Sequence, residues 1–267
     1  MSTNIVINGV LGRMGREIAS IAEADEKIEI VGGLERLGHD LVGSDLGTVL
    51  GFGKKEISIS DSAKNLAGEN RIFIDFTVPE STIALIDSLK GSKSSVVIGT
   101  TGLTADQITK IDELAKTNAV LFSPNMSLGV NFLFYLTKLA AEKLGGDYDI
   151  EIIEAHHRFK KDSPSGTAKR LGEISAEAIG KTYEEAIKDG RSGIVGERTS
   201  DEIGMHAVRG GDIVGDHTVL FAGLGERIEL RHQAHSRSTF AQGAVTAAKW
   251  LDGKEPGLYS MNDVLGI

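Results

Sequence analysis

The first 36 residues constrain this chain most, because they alternate strand and helix across a glycine-rich turn. Ile5-Val6-Ile7 is short, apolar and β-branched and ends in Asn8-Gly9, the pattern of a strand buried on both faces of a parallel sheet. Gly9-Val10-Leu11-Gly12-Arg13-Met14-Gly15 follows, then a helical repeat with Ile18, Ile21 and Ala22 on one face. Ile28-Glu29-Ile30-Val31 is the next strand and runs out near Leu34-Glu35-Arg36. Elements joined this tightly form a parallel βαβ unit. Its glycines have a physical reason. A helix N-terminus offers unpaired N–H groups and the positive end of a dipole to a pyrophosphate, and a Cβ there would hold the backbone away. The spacing is GxxGxxG, with Leu11 where the stricter GxGxxG has its second glycine. Glu35 lies 20 residues beyond Gly15, where an acid meets the ribose hydroxyls of a dinucleotide. It suits the free 2′-hydroxyl of NADH, whereas Arg36 suits the 2′-phosphate of NADPH, so both cofactors stay open. Arg13 is a second candidate for phosphate contact.

The alternation continues. Ile72–Ile74, Val96–Ile98 and Val120–Phe122 read as strands, and Thr104-Ala105-Asp106-Gln107 as a capping box that starts a helix. Ligands of open parallel sheets sit at the carboxyl ends of the strands. Those ends are Asp75–Thr77, Gly99-Thr100-Thr101 and Ser123-Pro124-Asn125-Met126, which are expected to line the nicotinamide side.

From residue 128 the pattern changes. Leu128 to Leu144 is a strongly apolar helix, Asp149 to His156 a strand, and a helix runs from Thr167 to about Ile179. Residues 181–200 read as a long exposed loop with one helical turn. Met205–Arg209, Thr218–Phe221 and Arg227–Ala234 are strand candidates joined by short glycine-rich connections, which implies antiparallel pairing. Ser238 to Trp250 is again a helix, placed to return to the first domain. The expected fold is α/β. A Rossmann-like parallel-sheet nucleotide domain (1–127 and 238–267) carries an α+β substrate and oligomerisation domain (128–237) with a mostly antiparallel sheet.

Composition narrows the function. The chain has 267 residues, a formal net charge of -9 and no cysteine. An acidic chain without a basic stripe is a poor partner for nucleic acid. Disulfides and thiolate metal sites are excluded. No leader or membrane-spanning stretch is legible, so a soluble cytoplasmic protein is expected.

Against that acidic background, Glu151 to Ala168 reads EIIEAHHRFKKDSPSGTA, a dense knot of His156, His157, Arg158, Lys160, Lys161 and Asp162. On a continuing strand, Glu154, His156, Arg158 and Lys160 share one face and His157 the other. Adjacent histidines then cannot chelate one metal, and no metal site is expected. Ser165 lacks the GxSxG elbow of a hydrolase. A proton donor fits better, since histidine titrates near neutrality. Lys160 either neutralises a carboxylate and holds His156, or donates a proton itself. Pro164-Ser165-Gly166-Thr167 opens a helix and makes a second anion site. Two anion-binding groups around a proton donor point to a small dicarboxylate substrate. A related oxidoreductase with another substrate, or a non-enzymatic nucleotide sensor, are the alternatives.

Glu151 to Ala168 also fits in full the signature E-[IV]-x-E-x-H-x3-K-x-D-x-P-S-G-T-A, and the chain resembles the dihydrodipicolinate (4-hydroxy-tetrahydrodipicolinate) reductase family. The resemblance extends over Gly9–Gly15, Leu34–Arg36, Phe73–Thr77, Gly99–Gly102, Ala207–Asp212, Phe240 and the C-terminal helix. It implies NADPH- or NADH-dependent reduction of a cyclic dicarboxylate to tetrahydrodipicolinate, in the diaminopimelate route to lysine. It implies His156 as general acid assisted by Lys160, with His157, Ser165, Gly166 and Thr167 on the substrate carboxylates. Gly9, Val10, Leu11, Gly12, Arg13, Met14, Glu35, Arg36, Gly99, Thr100, Thr101, Ser123, Pro124, Asn125 and Met126 would bind the cofactor. The family is usually a homotetramer built through the second domain's sheet. For His157 to reach the same ligand as His156, the strand must twist or end near residue 156.

Overall fold

The computed structural model describes residues 2–267, which divide into two compact units. The first runs to Ser127 and resumes at Ser238; the second is Leu128–Arg237.

In chain order the first unit opens with β1 (Thr3–Asn8), α1 (Arg13–Glu23), β2 (Ile28–Leu34), α2 (Leu46–Leu50), β3 (Ile59–Ser60) and α3 (Ala63–Leu66). It continues with β4 (Ile72–Asp75), α4 (Pro79–Leu89), β5 (Ser95–Ile98), α5 (Ala105–Ala115) and β6 (Ala119–Phe122). The second unit holds α6 (Leu128–Leu144), β7 (Asp149–His156), α7 (Gly166–Ala178), α8 (Tyr183–Ala186), β8 (Ile187–Asp189), β9 (Ile203–Arg209), β10 (Gly215–Gly223) and β11 (Glu226–Ala234). The chain then returns to the first unit as α9 (Ser238–Leu251), β12 (Gly257–Tyr259) and α10 (Met261–Leu265).

The first unit is a seven-stranded sheet in the order β12-β6-β5-β4-β1-β2-β3, parallel throughout. The order reverses between β1 and β4, the switch point at which doubly wound sheets leave a crevice beyond the strand ends. Val6, Phe73, Val96, Ile98 and Val120 are buried in its core, as expected of strands covered on both faces. The capping box of α5 forms: Thr104 Oγ1 accepts from the Gln107 amide at 3.3 Å and Gln107 Oε1 accepts from the Thr104 amide at 2.9 Å. Helix α9 packs through small residues, Ala241, Gly243, Ala244, Ala247 and Ala248. A Cβ on Gly243 would come within 1.8 Å of the Met126 carbonyl, so only glycine allows that approach.

The second unit is a mixed five-stranded sheet in the order β11-β10-β7-β9-β8. β10 is antiparallel to β11 and β7, while β7–β9 and β9–β8 are parallel. The short connection after β9 therefore does not make a hairpin with β10. It carries the chain over the end of β7, where the Gly210 amide donates to the His156 carbonyl and the Arg158 amide to that of Gly211. A short loop limits how far apart two strands lie, and one intervening strand of about 4.8 Å spacing is within its reach. Residues 181–200, expected as a loop with one turn, contain that turn as α8 and also the short strand β8. Ile150, Ile152, Glu154 and His156 of β7 are all buried, on the face that α7 packs against. The opposite face leaves Ile153 and Val208 exposed.

Candidate active site

The glycine turn of the first unit has the shape the dinucleotide reading requires. Gly9 sits at φ +69°, a conformation that side chains disfavour, and a Cβ on Gly15 would meet the Gly9 carbonyl at 2.2 Å. Gly12 caps α1 without a side-chain acceptor, which leaves the first-turn amides to a ligand. Leu11, the departure from the strict motif, points its amide at Glu35 Oε1, 2.8 Å away. That bond fixes an ionisable carboxylate at the end of β2, beside the turn, while Arg36 is exposed. The residues present fit a nicotinamide dinucleotide.

Farther along the carboxyl edge, Asp75 is fully buried and accepts hydrogen bonds from Asn8, Thr77, Thr82 and Thr100. Burial pushes its carboxyl up, against those four donors. The knot ties β1, β4 and β5 together at the switch point. It also turns the Thr100 hydroxyl inward, so Thr100 offers a ligand its backbone and not its side chain. Met126 is likewise buried, whereas Thr101 and Pro124 are exposed. Gly99 lies against the Phe76 ring, which a Cβ would meet at 2.4 Å.

In the second unit β7 stops at His156, and the Lys160 amide turns back onto the His157 carbonyl at 3.1 Å. Strict alternation therefore ends where the sequence required it to. His156 is held by a residue on its own strand face: Glu154 Oε2 lies 2.6 Å from His156 Nδ1. Glu154 is wholly buried and takes a bidentate bond from Arg209, at 2.8 Å on each oxygen. Burial pushes the Glu154 carboxyl up, but Arg209, His156 and the Ser165 amide outweigh it and hold it below the ordinary range. Lys160 does not hold His156; it pairs with Asp162 at 3.0 Å.

Ser165 caps α7, its hydroxyl accepting from the Ala168 amide at 3.2 Å and facing His217 Nε2 at 3.1 Å. The side chain is thus buried in the fold, at the start of α7. The His217 ring stands edge-on to His156 at 5.2 Å. Burial, with His156 beside it, pushes His217 down to about 4, so it is uncharged at neutral pH. His157 lies 3.5 Å from Arg237 Nη2. Arg209, His217 and Arg237 were all missed from sequence. Each is brought to the site by the sheet or by the end of the unit, not by a local motif.

A doubly wound nucleotide unit followed by a mixed-sheet unit with a histidine held by a buried carboxylate defines a nucleotide-dependent oxidoreductase. The family models "Dihydrodipicolinate reductase, N-terminus" and "Dihydrodipicolinate reductase, C-terminus" match residues 3–126 and 129–265. The chain belongs to the dihydrodipicolinate reductase family. It is 49% identical to the 4-hydroxy-tetrahydrodipicolinate reductase of Geotalea uraniireducens over 98% of both chains. It is equally identical to that of Hahella chejuensis over 99% of both. A solved structure of dipicolinate-bound dihydrodipicolinate reductase from Paenisporosarcina sp. TG-14 superposes with a TM-score of 0.77 at 25% identity, covering 97% of this chain and 98% of that one. An amine dehydrogenase from Mycobacterium smegmatis shares the fold at 13% identity and a TM-score of 0.60, covering 98% of this chain and 96% of that one.

Proposed function

We propose that the protein reduces 4-hydroxy-tetrahydrodipicolinate to tetrahydrodipicolinate with NADH or NADPH, on the route through diaminopimelate to lysine. The observation that carries the reading is His156, fixed by Glu154 beside a helix start and cationic side chains, within a chain that matches the family from end to end. The bound reduced nicotinamide supplies a hydride. The chain's own part is to hold a dicarboxylate and deliver a proton. The α7 start at Gly166 and Thr167 binds one carboxylate through its amides and dipole. Lys160, His157 and Arg237 supply the cationic and hydrogen-bonding groups for the other. The 4-hydroxyl of the substrate leaves as water, and protonated His156 would give its Nε2 proton to the ring, so that hydride, proton and lost water together balance the reduction. The apolar sheet face around Ile153 and Val208 is covered by further copies of the chain in a homotetramer.

The direct test is nucleotide oxidation with freshly generated substrate, and no consumption of either cofactor would end this reading. In the same assay Lys160→Ala is expected to lower kcat and to raise the KM for substrate about tenfold, roughly 1.4 kcal/mol of binding. An unchanged KM would remove Lys160 from the carboxylate site.

Glu35 decides the balance between cofactors. Its carboxylate is tied to the Leu11 amide where a 2′-phosphate would add negative charge, so NADH is favoured and Arg36 permits NADPH. Glu35→Gln keeps an acceptor for that amide but removes the charge. The NADH-to-NADPH ratio of kcat/KM is expected to fall about tenfold, or ~1.4 kcal/mol. A ratio that does not move places the discrimination elsewhere.

A further inference from the structure

Glu154 takes no part in binding or proton delivery as proposed above, yet it is wholly buried and accepts four hydrogen bonds. Two come from Arg209 at the end of β9 and one from the Ser165 amide, 3.1 Å away at the start of α7. A guanidinium and a backbone amide can only donate. Both carboxylate oxygens are therefore committed as acceptors, and at 2.6 Å His156 Nδ1 must be the fourth donor. That bond decides the tautomer. The neutral ring carries its hydrogen on Nδ1, and Nε2 is the nitrogen that gains and loses the working proton. Nε2 has the room it needs because residue 215 is glycine; a Cβ there would lie 3.0 Å from it. The carboxylate is fastened from three elements, β7, β9 and α7, so it cannot turn without breaking contacts to two others.

We propose that Glu154 is the positioning residue of His156, holding the imidazole in the tautomer that presents Nε2 to the substrate, with Arg209 fixing the carboxylate that does so. The inference rests on the reading of His156 as proton donor. Paired groups of this kind act through the histidine, and their loss is felt in kcat more than in binding.

Glu154→Gln distinguishes this role from a merely structural one. An amide nitrogen at the Oε1 position would face two obligate donors, Arg209 and the Ser165 amide. At the Oε2 position it faces Arg209 and His156, and the histidine alone can switch to accepting. The glutamine therefore settles with its nitrogen toward Nδ1 and drives the neutral ring to the Nε2–H tautomer. Nitrogen-15 NMR of histidine-labelled enzyme, at a pH where the ring is neutral, is expected to show His156 protonated on Nδ1 in the wild type and on Nε2 in Glu154→Gln. Turnover should fall about 100-fold, with KM within about twofold. A wild-type ring protonated on Nε2 overturns the proposal, as does a variant with wild-type kcat. If the variant fails to fold, the wild-type spectrum decides alone. Wild-type turnover in His156→Ala would instead bring down the proton-donor reading. The proposal would then fail in its catalytic part, and the ring-nitrogen spectrum would still report the Glu154 contact by itself.

Discussion

Replacing His156 with alanine is expected to lower kcat by about 10²–10⁴-fold, the range of a general acid or base removed from its transition state. The KM for substrate should change little, because the carboxylate partners, Lys160 and the α7 start, belong to other residues. The fold should survive: Glu154 loses one of its four donors and keeps Arg209 and the Ser165 amide. The check is steady-state consumption of NADH and NADPH, with circular dichroism to confirm that the variant is folded. A variant with wild-type kcat would remove His156 from the chemistry.

Arg209→Ala should produce the largest loss of stability. It leaves the Glu154 carboxylate, with no exposed surface, without its cation. Breaking a buried ion pair from one side costs roughly 3–5 kcal/mol. Arg209 keeps 22% of its side chain exposed, so water screens the pair and the lower end, about 3 kcal/mol, is expected. The loss should depend on pH with a definite sign. Glu154 has a folded value held below the ordinary 4.5. Its contribution is therefore complete above pH about 4.5 and is lost as pH falls through the lowered value. Glu151, held near 2 despite its burial by Arg191, His206 and Arg198, keeps its share to lower pH and is untouched by the change. Urea unfolding should show a wide gap between wild type and Arg209→Ala at neutral pH that narrows in acid. A gap that stays constant would mean the ion pair is not its source. Arg209→Lys should fall between the two, since it restores a charge but not the two-pronged fork.

Much of the framework was legible because its causes are local. The strand Asp149–His156 and the helix Leu128–Leu144 have the bounds read from periodicity, since both carry a continuous apolar pattern with a turn at each end. The capping box of α5 was legible from Thr104 and Gln107, which cap each other within one turn. Short elements were not. β8 and β12 have three residues each and exist because a neighbouring strand supplies their hydrogen bonds, so no period of their own announces them. The cap that the Ser165 hydroxyl makes on the Ala168 amide was not read from the sequence, although serine at a helix start is a favoured N-cap.

The Glu154–His156 pairing divides the same way. Alternation along β7 placed Glu154 and His156 on one face and required the strand to end near His156, and a spacing of two residues is enough for their side chains to meet. That much the residues determined alone, together with the parallel nucleotide unit and its glycine turn. Only the tertiary structure decided what holds Glu154 fixed against His156. Arg209 stands 55 residues away and reaches Glu154 because β9 pairs with β7 in parallel, with His156 opposite Arg209 in register. His217 reaches Ser165 because β10 lies on the other side of β7. The sequence pattern carries no information on which strand is the neighbour, because exposed and buried positions alternate alike in every candidate order. Strand order is chosen by burial of the whole sheet against α6 and α7, and it is strand order that brings two distant residues, Arg209 and His217, to one histidine.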